Sequence, residues 1–287
     1  MNKEELYRNA IDLPVFDWQV SLFGAYSQKV NDDWSCPIDS HQAFETIAIL
    51  NGQEIVTVEG KSHLLNQGDM IIIKPGQLHA AKAIHQLKYF NFHFVLDSPL
   101  FNLNLTNSRH FIFRKNSKIS TAAWPLFQEL MQLNRHPHLF TSQLQAQIIL
   151  SKFLSLLSHL TTVKAQPTPA NQLAVSLYQS IKDIFNERLY HSDQSDLSSG
   201  TIIEKALAVN NISHSYANRL FRDAFGISPR HLLSTLMQEA AKQLLALPDN
   251  TTTSVAQRLG YTNPANFSRQ FKKWTGISPS EYQENIH

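Results

Sequence analysis

The segment RLFRDAFGISP at residues 219–229 returns fifty residues later as RQFKKWTGISP at residues 269–279. The two copies share the pattern R-x-F-[RK]-x-x-x-G-I-S-P, and agreement of this extent at a fixed offset indicates an internal repeat. In each copy the Gly is placed to end one helix, and the Ser-Pro pair is placed to cap and begin the next. The repeat therefore predicts two equivalent helical units in the last third of the chain.

A short helix and a tight turn are predicted before each copy. In the second unit, Ser254–Leu259 is expected to be helical and to end at Gly260, after which Asn263-Pro264 supplies an N-cap and an N1 proline. In the first unit, Asn210 stands where Gly260 stands, as the next-best left-handed residue, and Ser213 caps the following helix. A helix, a turn of about three to four residues and a second helix form the helix-turn-helix pattern.

The second helix of each unit has one polar and one apolar face. In the first unit the polar stripe consists of Ser215, Asn218, Arg219 and Arg222. In the second unit the matching stripe consists of Ala265, Ser268, Arg269 and Lys272. A polar stripe of this kind can enter a DNA major groove, where arginine reads base edges. The alternative is a solvated helix surface, and recurrence of the same face in both copies favours the groove.

Basic residues are concentrated in the same region. The chain has a net charge of +2, whereas residues 201–287 alone hold nine Lys/Arg against six Asp/Glu. No acidic residue lies between Asp249 and Glu281, while four basic residues do. A stretch whose charges are all positive suits binding to a polyanion such as DNA, although a solvated surface can have the same composition.

The connecting segment Pro229–Leu247 is long enough, at roughly 28 Å if helical, to hold two recognition helices near adjacent major grooves about 34 Å apart.

The repeat, its spacing and the closing FSRQFKKWTGISPSEY (residues 267–282) resemble the AraC/XylS family of bacterial transcription regulators over about the last 110 residues. The resemblance implies groove-facing roles for Ser215, Asn218, Arg219, Asn266, Ser268 and Arg269. It implies phosphate contacts for Arg222, Lys272 and Lys273. The partners it implies are promoter DNA, a small-molecule effector, a second copy of the chain and RNA polymerase. The segment LYHSDQSDLSSG (residues 189–200) departs from the family by being longer and more acidic than usual.

The first half of the chain has the pattern of a β-sandwich or barrel. Short apolar runs are separated by turn residues such as Asn51-Gly52 and Pro75-Gly76. The predicted strands are Phe44–Leu50, Glu54–Val58, Met70–Ile73 and Tyr89–Val95. In the last of these runs phenylalanines alternate with polar residues, so one face is expected to be apolar. After about residue 120 the apolar period becomes helical.

Two motifs in this half resemble those of cupins. Gly68-Asp69-x5-Pro75-Gly76-x2-His79 is similar to the second cupin motif, and Asp39-x-His41-x3-Glu45 is similar to a degenerate first motif. The resemblance implies a cupin (jelly-roll) barrel whose lumen gathers His and Glu around a metal or a small polar ligand.

A metal at this site would use His41, Glu45 and His79. Because Asp39 stands where metal-binding cupins carry another His, we expect a metal-free ligand pocket with no cofactor, to which Tyr89 and His93 also contribute. Two functions remain open at this point. The barrel either senses a small molecule, such as a sugar, or is a metal-dependent cupin enzyme fused to a DNA-binding module. Stoichiometric bound Fe, Mn or Zn would favour the enzyme. The family resemblance favours the sensor, so we expect the protein not to be an enzyme.

The expected domain organisation follows from these features. Residues 1–160 form a cupin-like ligand-sensing and dimerisation domain, residues 161–172 (TTVKAQPTPANQ) a linker, and residues 173–287 a DNA-binding domain with two helix-turn-helix units. The segment Gln143–Leu160 has a broad apolar helical stripe, which is either a dimer seam or packs against its own barrel.

The composition excludes several classes of protein. Cys36 is the only cysteine, so an intramolecular disulfide and a CxxC metal motif are excluded. The N-terminal residues lack an apolar h-region, and no run approaches the ~18 apolar residues of a membrane span. We therefore expect a soluble cytoplasmic protein with no membrane partner.

Overall fold

The first half of the protein is a seven-stranded antiparallel sheet, and the second half is helical. The computed structural model describes residues 18–108, 111–133, 139–161, 168–191, 199–247 and 249–284. The strands are β1 (Val20–Lys29), β2 (Ser35–Asp39), β3 (Phe44–Val58), β4 (Lys61–Asn66), β5 (Met70–Ile73), β6 (His79–Leu96) and β7 (Ile112–Phe113). They are ordered β1-β6-β3-β5-β7, with β2 also pairing β6 and β4 pairing β3. The predicted fold class, a β domain followed by an all-α helix-turn-helix domain, is confirmed.

The longest ladder, between β3 and β6, curls until its two ends meet. In register, Glu45 pairs with His93 near one end and Val58 pairs with His79 at the other. Thirteen residues of extended strand between Glu45 and Val58 would span roughly 43 Å. Even so, the His79 Nε2 atom lies 3.1 Å from Glu45 Oε2. The sheet therefore closes on itself, and this closure brings the two cupin-like motifs to one place.

The turn expected at Asn51-Gly52 is wrong, because β3 continues through it. The register shifts around Asn51 and Gln53, and Gly52 has a φ of 76°. A Cβ atom on Gly52 would lie 2.0 Å from the carbonyl oxygen of His85. These are the marks of a bulge in which glycine permits a close backbone approach. The bulge bends β3 without ending it, which contributes to the curl.

Three helices cover the outer face of the sheet. They are α1 (Pro99–Asn107), α2 (Lys118–Gln132) and α3 (Phe140–Thr161). Phe92 of β6 lies 5.5 Å from Phe127 of α2 and 5.7 Å from Phe153 of α3 between ring centroids, and all three rings are buried. The polar residues that alternate with the phenylalanines of β6 face the lumen, where a second cluster including Ile47 and Val56 forms the barrel interior.

The α3 stripe packs mainly against its own barrel. Ile149, Phe153 and Leu157 are buried in the same cluster as the β6 phenylalanines. An outer row of α3, made of Phe140, Leu144 and Ile148, is exposed. The buried and exposed apolar rows therefore lie on different sides of one helix, and only the outer row is available to a partner.

In the described residues from 168 onward the protein forms seven helices. They are α4 (Pro169–His191), α5 (Ser199–Val209), α6 (His214–Phe225), α7 (Pro229–Leu245), α8 (Thr252–Arg258), α9 (Pro264–Thr275) and α10 (Pro279–Glu284). They share one hydrophobic cluster, which also takes in Leu103 of α1. Helix α4 begins inside the range expected to be linker, and residues 162–167 of that range lie outside the described residues. No helix in the described ranges combines the length and the apolar character of a bilayer-spanning segment.

The two repeated units end and begin their helices alike. Gly226 and Gly276 have φ values of 72° and 83° and terminate α6 and α9. Ser213 and Asn263 cap those helices, and Ser228 caps α7, as predicted. The prediction for Asn210 is wrong by one residue: Asn211 takes the left-handed conformation, with a φ of 52°. The Asn210 amide instead donates to the Ala206 carbonyl.

Candidate nucleic-acid interface and effector site

Helix α6 presents its predicted polar stripe to solvent. Its opposite face, which includes Ala217, Phe221 and Ala224, is buried in the helical core. The four residues predicted to face DNA are all exposed: Ser215, Asn218, Arg219 and Arg222. The Arg219 guanidinium lies 5.3 Å from the centroid of the Tyr216 ring. This cation–π contact orients the arginine along the exposed face of the helix.

Helix α9 presents the equivalent surface of the second unit, backed by the buried rings of Phe267 and Phe271. Asn266, Arg269, Lys272 and Lys273 are exposed. Arg269 Nη2 donates to Asn266 Oδ1 over 2.5 Å, so the two polar groups are held together at the surface. Ser268 differs from the prediction in part. It is half-buried, and its hydroxyl donates to the Pro264 carbonyl 3.1 Å away, which leaves only its oxygen free to accept.

Helix α7 joins the two units rigidly. Leu233 and Leu245 are fully buried in the cluster shared by both units. Trp274, at the end of α9, donates from Nε1 to Ser234 Oγ over 3.0 Å. The 17 residues of α7 span about 26 Å at ~1.5 Å per residue. Both recognition helices are thus fixed to one helix, whose length is about three quarters of the ~34 Å turn of B-DNA.

A cluster of three histidines surrounds one carboxylate inside the barrel. We call Glu45, His41, His79 and His93 the histidine cluster. Nε2 of His41 lies 3.2 Å and Nε2 of His79 lies 3.1 Å from Glu45 Oε2. Nε2 of His93 lies 3.6 Å from the other oxygen, Oε1. The structure therefore brings together four of the five residues predicted for the ligand site.

The electrostatics of the histidine cluster favour an ionised Glu45. Burial is the largest single influence and opposes ionisation, but hydrogen bonds from His41 and His79, with the charges of His93 and His79, lower the Glu45 pKa to about 2. The hydrogen bond to Glu45 raises the pKa of His79. Burial lowers the pKa of His93. The pKa values of His79 and His93 are thus shifted in opposite directions beside one shared carboxylate.

The fifth predicted residue, Tyr89, lies deeper in the lumen. Its ring packs against Trp34 at 5.4 Å and against Tyr26 at 6.0 Å, and its hydroxyl donates to Gln28 Oε1. Burial raises its pKa. Asn91 sits between Tyr89 and His93 on the same face of β6, and its buried Oδ1 has no hydrogen-bond partner. The lumen therefore runs from the histidine cluster through an amide to an aromatic wall.

Glu54 is a second lumen carboxylate that the sequence analysis did not single out. It is 1% exposed, and its Oε2 has no hydrogen-bond partner. Burial, reinforced by the charge of Glu45, raises its pKa to about 8. The signal that could have identified it is alternation, since Glu54 shares a strand face with the apolar Val56 and Val58. It stays neutral near pH 7, when it can donate a hydrogen bond.

The Glu54→Gln substitution should stabilise the protein at high pH. Because the folded-state pKa of Glu54 lies above its ordinary value of 4.5, the unfolded chain releases this proton first as the pH rises. Glu54 therefore lowers the free energy of unfolding progressively as the pH rises from about 4.5 to about 8. Because a glutamine amide does not ionise, Glu54→Gln should recover about 2–4 kcal/mol of that free energy at pH 8. Urea unfolding at pH 5 and pH 8 measures this.

The matched control for Glu54→Gln is Glu129→Gln, which changes an exposed glutamate of α2. We expect Glu129→Gln to leave the free energy of unfolding unchanged at both pH values. An equal effect of Glu54→Gln at pH 5 and pH 8 would show that Glu54 ionises normally.

The donor atoms of His41, Glu45 and His79 all lie within 4.8 Å of one another, which is close enough for one metal ion. Imidazole nitrogens and a carboxylate oxygen are ordinary ligands of divalent transition metals. The histidine cluster can therefore act as a ligand set for a metal or as a hydrogen-bonding site for a polar molecule.

The loop that precedes His79 touches the first recognition helix. The Gly76 N–H donates to the His41 carbonyl over 2.8 Å, which ties the loop to the histidine cluster. A Cβ atom on Gly226, the residue that ends α6, would lie 2.3 Å from the Pro75 carbonyl oxygen. Arg222 lines a crevice with Lys74, Pro75 and Gly76. A predicted phosphate contact thus lies beside the sensor barrel.

Polar contacts fasten the two halves of the protein together on the other side of this junction. Tyr178 of α4 donates to Asp97 Oδ1 over 2.7 Å, and Lys182 Nζ lies 3.0 Å from Asp97 Oδ2. Lys182 is buried, so this ion pair is shielded from solvent. Two sets of contacts therefore hold the helical half against the barrel. One is the backbone contact of Pro75 with Gly226, and the other is the group of polar contacts that Asp97 makes with α4.

Two family models match the chain in agreement with this arrangement. Residues 207–285 match a helix-turn-helix domain, and residues 27–154 match the AraC-like ligand binding domain. The chain belongs to the AraC family of transcription regulators. It is accordingly a DNA-binding regulator of the AraC type with an N-terminal ligand-binding domain.

The curated relatives that match the chain include named transcriptional regulators. The chain is 33% identical over 126 residues to the raffinose operon transcriptional regulatory protein RafR of Pediococcus pentosaceus, covering 44% of this chain and 40% of that relative. It is 26% identical over 241 residues to the uncharacterized HTH-type transcriptional regulator YobQ of Bacillus subtilis, covering 83% and 85%. Among solved structures, ToxT from Vibrio cholerae aligns with a TM-score of 0.40 and 12% identity, covering 94% of this chain and 98% of ToxT.

Proposed function

We propose that this AraC-family protein switches transcription in response to a small polyhydroxylated molecule, a sugar, bound in the barrel lumen. The observation that carries the proposal is the connection of the histidine cluster to α6 through Gly76. The proposed domains are residues 1–160 for sensing and dimerisation, 161–172 for the linker and 173–287 for DNA binding.

The polar stripes of α6 and α9 are the proposed reading surfaces. Arg219 and Arg269 occupy the same position of the repeat. Each arginine is exposed on a helix whose opposite, apolar face is buried. Arginine is the usual reader of guanine in the major groove. The flanking residues proposed to contact bases are Ser215, Asn218, Asn266 and Ser268. Those proposed to contact phosphates are Arg222, Lys272 and Lys273.

The lumen chemistry supports a sugar as the effector. Hydroxyl groups need both donors and acceptors, and the lumen offers the Glu45 carboxylate, the unpartnered Asn91 Oδ1 and the neutral Glu54. The rings of Trp34 and Tyr89 supply the apolar wall that most ligand pockets combine with a few polar groups. The name of RafR refers to a raffinose operon, which is in keeping with this class of ligand.

The proposed signal passes from the lumen to the DNA through the Pro75-Gly76 loop. A ligand that moves His41 or His79 also moves Gly76, since the Gly76 N–H is bonded to the His41 carbonyl. That loop lies in backbone contact with Gly226 at the end of α6. The effector would thereby change how α6 and Arg222 are presented to DNA. This is a coupling between two sites through one shared element.

We further propose that the protein works as a homodimer that recruits RNA polymerase in the cytoplasm and does not turn its ligand over. The exposed outer row of α3, defined by Phe140, Leu144 and Ile148, is apolar and offers a seam for a second copy. Two tethered protomers would gain operator affinity by effective concentration alone.

A titration of operator DNA in the presence and absence of mono- and oligosaccharides tests the proposal. We expect one sugar class to change the affinity at least about fivefold, the lower end of allosteric coupling. Asn91→Ala should abolish that change while leaving DNA binding without sugar intact. His85→Ala, an exposed histidine of β6, is the matched control. Absence of any response across the sugars would refute the effector class.

A further inference from the structure

The distances from Glu45 to the histidines of the cluster match those between ligand atoms of one metal ion, and the donor atoms of His41, Glu45 and His79 all lie within 4.8 Å of one another. Ligand atoms bound about 2.0–2.1 Å from one ion at tetrahedral or octahedral angles lie roughly 2.9–3.4 Å apart. The contacts of Glu45 Oε2 with His41 and His79, at 3.2 and 3.1 Å, fall in that range. The His93 contact with Oε1, at 3.6 Å, is only slightly longer. Glu45, His79 and His93 are held by strands β3 and β6, and His41 lies in the segment just before β3.

The outer hydrogen bonds orient two of the histidines as metal ligands. His79 Nδ1 lies 3.0 Å from the Gln77 carbonyl and His41 Nδ1 lies 3.2 Å from the Ala43 carbonyl. A carbonyl oxygen can only accept, so each Nδ1 carries the hydrogen. In the metal-free protein each Nε2 also carries a hydrogen, which it donates to Glu45. Metal binding would release that hydrogen as a proton, so that an Nε2 lone pair faces the ion while Nδ1 keeps its hydrogen bond to the carbonyl. Backbone carbonyls commonly hold metal-binding histidines in this manner.

His93 supplies the donor that the cupin-like motif lacks. The sequence expectation of a metal-free site rested on Asp39, which has replaced a histidine. In the fold, His93 of β6 pairs with Glu45 in register, and its ring lies 4.7 Å from that of His41. Gly24 makes room for it, because a Cβ atom there would lie 2.8 Å from His93 Nδ1. A histidine from another strand thus restores a set of three nitrogens and one oxygen.

We propose that His41, Glu45, His79 and His93 bind one divalent transition-metal ion. The inference deepens the proposed effector site, and its residues belong to the same lumen. Three imidazoles and one carboxylate favour Zn²⁺, Co²⁺, Ni²⁺, Fe²⁺ or Mn²⁺ over the harder Ca²⁺ and Mg²⁺, which take mainly oxygen ligands. Four protein donors leave two positions of an octahedral ion open, and oxygen atoms of an effector can fill them.

Metal titration of the full chain tests the assignment. Chelator-treated protein is titrated with Co²⁺ and, separately, with Zn²⁺, and the visible spectrum of Co²⁺ reports nitrogen and oxygen ligation. We expect one ion per chain. Because bound metal is also expected of the enzyme alternative, unchanged sugar recovered after incubation with the Co²⁺-loaded protein would identify a metal-bound sensor, and chemically altered sugar would identify an enzyme. Glu45→Gln and His79→Ala should each weaken binding at least ~100-fold, and His93→Ala about 10–100-fold. His85→Ala should bind as the wild type does, since His85 lies on the barrel surface.

Two measurements keep the result interpretable. Circular dichroism and operator binding show whether each variant is folded, and a Zn²⁺-dependent rise in the wild-type Tm, reversed by chelator, needs no variant. Failure of the wild type to bind Co²⁺, or equal affinity in Glu45→Gln and His79→Ala, would overturn the metal site. A sugar response that persists in metal-free protein would then leave the proposed function standing. Metal binding without any sugar response would refute the effector class and retain the metal.

Discussion

The substitutions Arg219→Ala and Arg269→Ala should each weaken binding to the specific operator by roughly 5- to 150-fold, which is equivalent to ~1–3 kcal/mol. Affinity for random-sequence DNA should change little. The reason is position: both arginines occupy the same exposed site of the repeat, at the centre of the polar stripes of α6 and α9. Quantitative binding to an operator selected from a random DNA pool, compared with a shuffled duplex, measures the difference.

Lys273→Ala is the matched control for the arginine variants. Lys273 is exposed in the last turn of α9, where its ammonium group can contact a phosphate of the DNA backbone. Its loss should weaken both DNAs alike and reduce the salt slope of binding by about one unit. If either arginine variant lost affinity equally on the two DNAs, its base-reading role would be refuted.

Adjacent isoleucines of α3 should respond in opposite ways to glutamate. Ile149 is 2% exposed against the β6 phenylalanines, whereas Ile148 is 48% exposed on the outer row. Ile149→Glu buries an unpaired carboxylate in that core, and we expect it to cost about 4 kcal/mol or more. That loss is a large share of the stability of a domain, so the barrel should unfold.

Ile148→Glu should instead leave the barrel folded and shift dimers to monomers. Glutamate on the exposed row costs the monomer little but places two like charges in a symmetric seam. Circular dichroism and sedimentation of both variants separate the cases. A folded Ile149→Glu variant would contradict the packing of α3, and a dimeric Ile148→Glu variant would exclude the outer row as the seam.

Local signals in the sequence predicted the helical half well. Its helix ends depend on capping residues and glycines that act within a few positions, so Ser213, Asn263, Gly226 and Gly276 could be assigned without a structure. Two helix starts are predicted wrongly: α4 begins at Pro169, inside the expected linker, and α8 begins at Thr252 and not at Ser254. The third error, Asn210 in place of Asn211, concerns two adjacent residues of the same type. Asn210 is drawn away by its hydrogen bonds to Ala206 and Ser180, which no local pattern reveals.

Closure of the barrel could not be predicted in the same way. The Asn51-Gly52 pair has the composition of a hairpin turn, and only the pairing of β3 with β6 on both sides makes it a bulge. The partnership of His93 with Glu45 likewise depends on strand register, because the two residues are far apart in the sequence and His93 lies outside both motifs. For α3, the apolar stripe was evident, but which side meets the barrel depends on tertiary packing.

Hydroxyl-radical footprinting on the selected operator shows whether two rigidly joined recognition helices read DNA. We expect two protected segments on one side of the duplex, about one helical turn or ~10.5 bp apart, for each protomer. Arg219→Ala should weaken protection of one segment and Arg269→Ala that of the other. A single protected segment, or the same segment weakened by both substitutions, would contradict this expectation.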